Sequence, residues 1–236
     1  MSAVNEWIVR EYFELNGFLV SQPRKYAVPA RQKKPDEELD LLVFNPHAKE
    51  HQVPANLVWT RDDLKNVQRA VVGVRGWHTE RFYVSTFEQA PDICRFAEPE
   101  AVRHAGRMLG TAVMAKILCI PRLPASGELR DKSVQVLRDK GIDGLISFET
   151  MLAELIYRVE THKNYEKSDL LQIIRIMKNY NFIADRQMDF FASQTWFEWR
   201  NDVDVAVATG FKSSLLHITI GKFSQIYPAI QISENR

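Results

Sequence analysis

Two apolar runs constrain this chain more than any other feature. One lies at the start of AVVGVRGWH (70–78), and the other, VMAKILCI (113–120), is closed by Pro121. The second has the pattern of a strand buried on both faces, and the first is of the same buried type. A sheet covered on both sides needs a layer of helices above it and another below. The flanking segments supply helical patterns, so the order helix, strands, helix, strand, helix, strand predicts a mixed α/β fold.

The remaining elements follow from local signals. Residues 2–16 (SAVNEWIVREYFELN) carry Val4, Ile8, Tyr12 and Leu15 on one stripe, with Ser2 placed to cap the helix and Gly17 to stop it. GFLV and RKYAV suit short strands, and a polar turn with Arg31, Lys33 and Lys34 leads to a strand over about Glu38–Phe44 that Asn45-Pro46 closes. Residues 45–68 form a polar connection, helical in pattern over TRDDLKNVQ, before a strand over 70–77. Thr86 to Gly110 is mostly helical and broken near Pro91 and Pro99, a charged helix over 127–140 stops at Gly141, and GLISF (144–148) is a further strand. From Phe148 onward, Met151, Leu152, Leu155, Ile156 and Val159 form the clearest amphipathic stripe, and Ser168 caps a second helix, which predicts an αα-hairpin. The last fifty residues are rich in aromatics (Phe190, Phe191, Trp196, Phe197, Trp199) and end in two β-like runs, VDVAVATGF and SLLHITIGKF. The division expected is an α/β domain over 1–148 and a largely helical C-terminal extension over 149–236.

Composition bounds the function classes. With 45% hydrophobic and 26% charged residues the chain is ordinary globular material. A net charge of +1 gives no general attraction to nucleic acid, so any such contact must come from a local patch. Cys94 and Cys119 lack CxxC spacing and read as buried free thiols of a reducing compartment. No run approaches the ~18 apolar residues of a membrane span, and a cytoplasmic, soluble protein with no membrane contact is expected.

Function enters through the face shared by Val71, Gly73 and Arg75. An acid, Asp40, stands on the strand about thirty residues upstream, and Gly73-Val74-Arg75 occupies the place of a carboxylate-x-cation pair on the next one. With Glu6 in NEWIVREYFELN and the run Gly17-Phe18-Leu19-Val20, the pieces stand in an order that resembles the PD-(D/E)xK superfamily. Within it, the archaeal Holliday-junction resolvases are the most similar. The resemblance covers roughly the first 120 residues, at most to Phe148, and implies a restriction-endonuclease-like mixed sheet flanked by helices. The C-terminal part resembles no family.

The same resemblance implies a chemistry. Members hydrolyse phosphodiesters with Mg²⁺ or Mn²⁺ held by carboxylates and a lysine close by. Asp40 is then a metal ligand, and Arg75 stabilises developing charge without acting as a base, because its pKa is too high. Gly73 supplies no side chain where the family has an acid. Glu38, two residues before Asp40 and on the same strand face, or Glu6 on the first helix, are the candidate substitutes, Glu38 also as a metal ligand. Arg24, Lys25, Lys33 and Lys34 are candidate phosphate contacts, and Trp77 a candidate base-stacking residue.

Plainer readings stand beside each of these. Asp40 and Arg75 can form a buried ion pair, Glu6 can pair with Arg10 one turn on, Glu38 belongs to a solvated acidic turn, and Trp77 can be a rim aromatic. His47-Ala48-Lys49-Glu50-His51 fits the H-x-x-E-H zinc-peptidase pattern, but it falls in a polar connection between Pro46 and Pro54 and reads as chance. Three functions remain open: a degenerate metal-dependent nuclease acting on DNA; a module that keeps the nuclease fold and binds DNA or RNA without catalysis; and an assembly protein that uses its C-terminal helices for partners or for a homodimer.

Overall fold

The two apolar runs become neighbouring parallel strands at the centre of one five-stranded sheet. The structure, a computed structural model, describes residues 3–23, 39–78 and 81–183. In chain order its elements are α1 (Ala3–Leu15), β1 (Leu19–Ser21), β2 (Leu41–Phe44), α2 (Arg61–Leu64), β3 (Arg69–Val74) and α3 (Val84–Gln89). A 3₁₀ segment (Pro91–Ala97) comes next, then α4 (Pro99–Leu109), β4 (Ala115–Ile120), α5 (Gly127–Asp139), β5 (Gly144–Ser147), α6 (Phe148–Arg158) and α7 (Asp169–Asn179). The strands lie in sequence order, β1 to β5. The first three pair antiparallel, and β3, β4 and β5 pair parallel. Parallel neighbours need long crossovers. The helical stretch from α3 to α4 carries the first of these and α5 the second.

Strand alternation divides the core into two layers. Leu41, Val43, Ala70, Val72, Val74, Ala115, Ile117, Cys119 and Ile146 face α1, α6 and α7. Leu42, Val71, Leu118, Ile120 and Leu145 face the side built by α3, the 3₁₀ segment, α4 and α5, through Phe87, Phe96, Ala105 and Leu137. The fold is therefore α/β with a mixed sheet between helices, as the two runs predict.

Caps explain why the helices end where they do. At the end of α1, Gly17 takes φ +84°, the Gly17 N–H donates to the Glu14 carbonyl at 3.0 Å, and the Phe18 N–H donates to the Phe13 carbonyl at 3.0 Å. This is a Schellman closure, and its usual apolar contact is present: the Phe13 and Phe18 rings meet edge-on at 5.3 Å. Ser147 and Ser168 accept from the N–H groups of Thr150 and Leu171, which starts α6 and α7. The prolines split the expected 86–110 helix at Pro91 and Pro99, and the stretch between them winds as 3₁₀.

Two expected strand ends are corrected. The strand of residues 70–77 ends at Val74: the Arg75 N–H still donates to the Cys119 carbonyl as the last rung of the β3–β4 ladder, and beyond it Gly76 is engaged by the Asn5 side chain from α1 instead of by a strand. Phe148 starts a helix rather than finishing a strand, since Ser147 caps it. Helices α6 and α7 follow one another as expected and each packs on α1, with Met151, Leu155, Val159, Leu171 and Ile174 in one core with it. Ser2, most of RKYAV and everything from residue 184 on lie outside the described residues. No helix among those described is long and apolar enough to cross a membrane.

Candidate functional site

Polar side chains gather at the sheet end where β3 and β4 finish. Leu41 stands opposite Val72, so extending the ladder by one brings Asp40 beside Gly73, with Arg75 just past the strand. Arg75 Nη1 donates to Asp40 Oδ2 at 2.6 Å, and the Val74 N–H donates to the same oxygen at 2.8 Å. The guanidinium also donates to the carbonyls of Val74 at 2.8 Å and Asp92 at 3.2 Å. Its carbon stands 5.9 Å from the centre of the Phe96 ring. Asp40 is 1% exposed and Arg75 6% exposed. Neither charge could stay buried alone, whereas paired and hydrogen-bonded they satisfy each other.

Gly73 faces the ring of Phe96, which is fully buried. A Cβ at position 73 would lie 2.4 Å from Phe96 Cδ1 and Cε1, closer than carbon atoms can approach. The place where the resemblance expects a carboxylate is thus filled by an aromatic ring from the 3₁₀ segment. Arg75 lies over the same ring, so Phe96 covers both positions of the Gly73-Val74-Arg75 motif.

These residues do not fit a Mg²⁺ or Mn²⁺ centre. Such an ion takes several hard oxygens and keeps part of its water, but Asp40 is enclosed and engaged by a guanidinium, and Gly73 has nothing to offer. Among the described residues no group of three or more His, Cys, Asp or Glu is placed to hold a metal. Glu38 lies outside the described residues, as do Arg24, Lys25, Lys33 and Lys34.

Glu6 does reach this end of the sheet. Its carboxylate accepts from the Gln22 side chain, and Gln22 directly follows β1, whose Ser21 stands opposite Leu42. Arg10, the neighbour expected for Glu6, pairs with Glu14 at 2.8 Å. Two residues that sequence reasoning passed over complete the rim. Asn5 donates to the Gly76 carbonyl at 3.4 Å, and its Oδ1 lies 2.8 Å from His78 Nε2. The His78 ring meets Phe148 edge-on at 4.9 Å. Trp77 stacks on buried Phe82 with centroids 5.6 Å apart and is 39% exposed, so one part of the indole is held and another is open to solvent.

The two cysteines are buried free thiols. Burial pushes Cys119 well above the ordinary thiol range, with the Asp40 charge adding to it, and burial likewise pushes Cys94 up. Neither is a ready nucleophile. In the H-x-x-E-H stretch, His47–His51 is turn and coil, and His51 Nδ1 accepts from the N–H groups of Gln68 at 3.2 Å and Arg69 at 3.4 Å. That ring nitrogen is committed to the backbone at the head of β3, and zinc chemistry has no helix to stand on.

A second polar cluster lies between α1 and α6. The Tyr12 hydroxyl and Glu154 Oε2 are buried next to one another, and the other carboxylate oxygen, Oε1, accepts from the Arg61 N–H at 3.4 Å. Burial raises the Glu154 carboxyl above its ordinary value, and the Tyr12 hydroxyl is raised by burial and then by Glu154. No family model, no curated protein and no solved structure matches this chain.

Proposed function

We propose that this chain is a catalytically silent, nuclease-like module that binds nucleic acid, DNA in the first place, without metal. The element order supports the scaffold: a helix, three antiparallel strands, a helical crossover and a fourth strand, with Asp40, Arg75 and a helix-borne glutamate at one end of the sheet. The observation that carries the loss of catalysis is the Phe96 ring seated against Gly73. It takes the volume of the second carboxylate while Arg75 is turned onto Asp40, so charge once directed at a metal and a phosphate is neutralised internally. Binding then falls to the cationic segment with Arg24, Lys25, Lys33 and Lys34 and to the outer part of Trp77, by phosphate contact and stacking.

Two measurements test this. The purified chain with supercoiled and branched DNA in Mn²⁺ should give no cleavage above an EDTA control; metal-dependent cleavage that follows the protein through purification would restore the enzyme reading. Gel shifts should show binding that weakens steeply with salt and ignores EDTA. Four phosphate contacts would give a slope in log K against log salt of about −3.6 on duplex DNA. Reversing the four cations to glutamate should abolish the shift, and a flat titration of the unaltered chain at low salt would end the nucleic-acid proposal.

A further inference from the structure

The segments that leave the three parallel strands are tied to one another at one end of the sheet. The Phe82 N–H donates to the Arg122 carbonyl at 3.2 Å, which joins the segment after β3 to the one after β4. The His78 ring meets Phe148, the first residue past β5. Open α/β sheets hold their ligands outside the carboxyl ends of the strands, where such segments come together. At this junction lies a pair of aromatic rings. Phe82 is fully buried, meets Phe87 at 5.8 Å, and carries Trp77 stacked on it with the ring planes 19° apart. The indole is thus fixed in orientation yet open to solvent, and Tyr83, next to Phe82, is as exposed as Trp77. Two exposed cations flank the platform: Arg81 precedes Phe82 in the chain, and Arg122 is bonded to it through the backbone. Among the described residues neither guanidinium has an ion pair. Arg75 and Arg95, by contrast, are neutralised by Asp40 and Asp92, each at 2.6 Å.

We propose that this platform takes an unpaired base of a single-stranded nucleic acid, with the base on the open part of Trp77 and the adjoining phosphates on Arg81 and Arg122. The inference rests on the nucleic-acid reading above and adds the strand form that is preferred. Inside a duplex both faces of a base are covered by its neighbours, so an indole stacks only on a base that is unpaired or splayed out. Every base has a π-face, and recognition of this kind tolerates sequence. Phosphate supplies the anion that the two guanidinium groups lack within the chain. An apolar protein partner would cover the indole but leave both charges unmatched.

Fluorescence anisotropy of the full chain with a labelled oligothymidine and with a blunt duplex of equal length tests it. The single strand should bind about tenfold or more tightly than the duplex, as stacking on an indole implies. Trp77→Leu keeps an apolar group over Phe82 but offers no ring, and should bring the ratio of the two affinities close to unity; Trp77→Phe should retain most of it. Arg122→Gln removes an exposed charge with no ion pair, so the fold is left intact. It should lower the slope of log K against log salt on the single strand by about 0.7, the value for one phosphate contact. Equal affinity of the unaltered chain for both forms overturns the inference and leaves the nucleic-acid reading standing. So does a Trp77→Leu chain that is folded by circular dichroism and keeps the ratio, or an unchanged slope in Arg122→Gln. Binding of neither form at low salt ends both readings.

Discussion

The contact between Gly73 and Phe96 makes the sharpest prediction. Replacing glycine by alanine in a strand of ordinary φ should stabilise a protein by about 0.4–1 kcal/mol, because the unfolded chain loses freedom. Here the added methyl would lie 2.4 Å from two ring carbons, and the ring has no room to withdraw, since Phe96 is fully buried with Arg75 lying over it. Overpacking of this kind costs about 1–3 kcal/mol, which for a chain of this size lowers Tm by about 2–12 °C. Phe96→Ala alone should cost about 3–5 kcal/mol through the cavity it leaves. In the Phe96→Ala background the same Gly73→Ala change should become neutral or stabilising, because the methyl enters emptied space. Urea denaturation of the four proteins gives the cycle, with an expected coupling of about 1 kcal/mol or more, beyond the ~0.5 kcal/mol of independent sites. A Gly73→Ala variant at least as stable as the unaltered chain would refute the steric argument. For the same steric reason Gly73→Glu alone should gain no Mn²⁺ affinity by calorimetry.

Three further expectations follow from the buried polar groups. Asp40→Asn removes the buried carboxylate charge onto which Arg75 Nη1 donates and should cost about 3–5 kcal/mol in urea denaturation, while Asp40→Leu with Arg75→Met should recover most of that. His51 is held below its ordinary pKa, first by burial and then by Arg69. The unfolded chain therefore binds the extra proton first, and the contribution of His51 is complete above pH about 6.5 and lost as pH falls from there through the lower folded value. Thermal melts at pH 7.5 and 5.5 should differ less for His51→Gln than for the unaltered chain. Glu154 is raised by burial, so its contribution has the opposite sign: stability falls as pH rises from the ordinary glutamate value, about 4.3, through the higher folded one. Glu154→Gln should flatten that part of the profile and raise Tm at neutral pH; an unchanged profile would show that the carboxyl titrates as in the unfolded chain.

Much of the framework was legible because it is written locally. The two apolar runs could only be interior strands, and the stops at Gly17 and Gly141 and the cap at Ser168 depend on backbone geometry a few residues wide. The alternation of Val71, Gly73 and Arg75 also gave the right meeting place for Arg75 and Asp40, since adjacent antiparallel strands leave few registers. The end of β3 was misjudged by three residues. Trp77 follows in the same extended pattern, but the ladder to β4 finishes with the Arg75 N–H on the Cys119 carbonyl, and Asn5 of α1, far away in sequence, takes the Gly76 carbonyl.

What the amino-acid order determined by itself is the layering and the approach of one acid to one cation, both consequences of period and spacing. What only the tertiary structure decided is how that pair is used. Phe96 arrives on Gly73 from a 3₁₀ turn beyond the next helix, and Asn5 reaches Gly76 and His78 from the other end of the domain. Neither contact has a local signal, because a side chain's neighbour across a layer is set by how whole helices seat on the sheet. The two charges thus face each other rather than an open cleft: burial makes an unpaired charge too costly, and the ring closes the space that a metal or a phosphate would need.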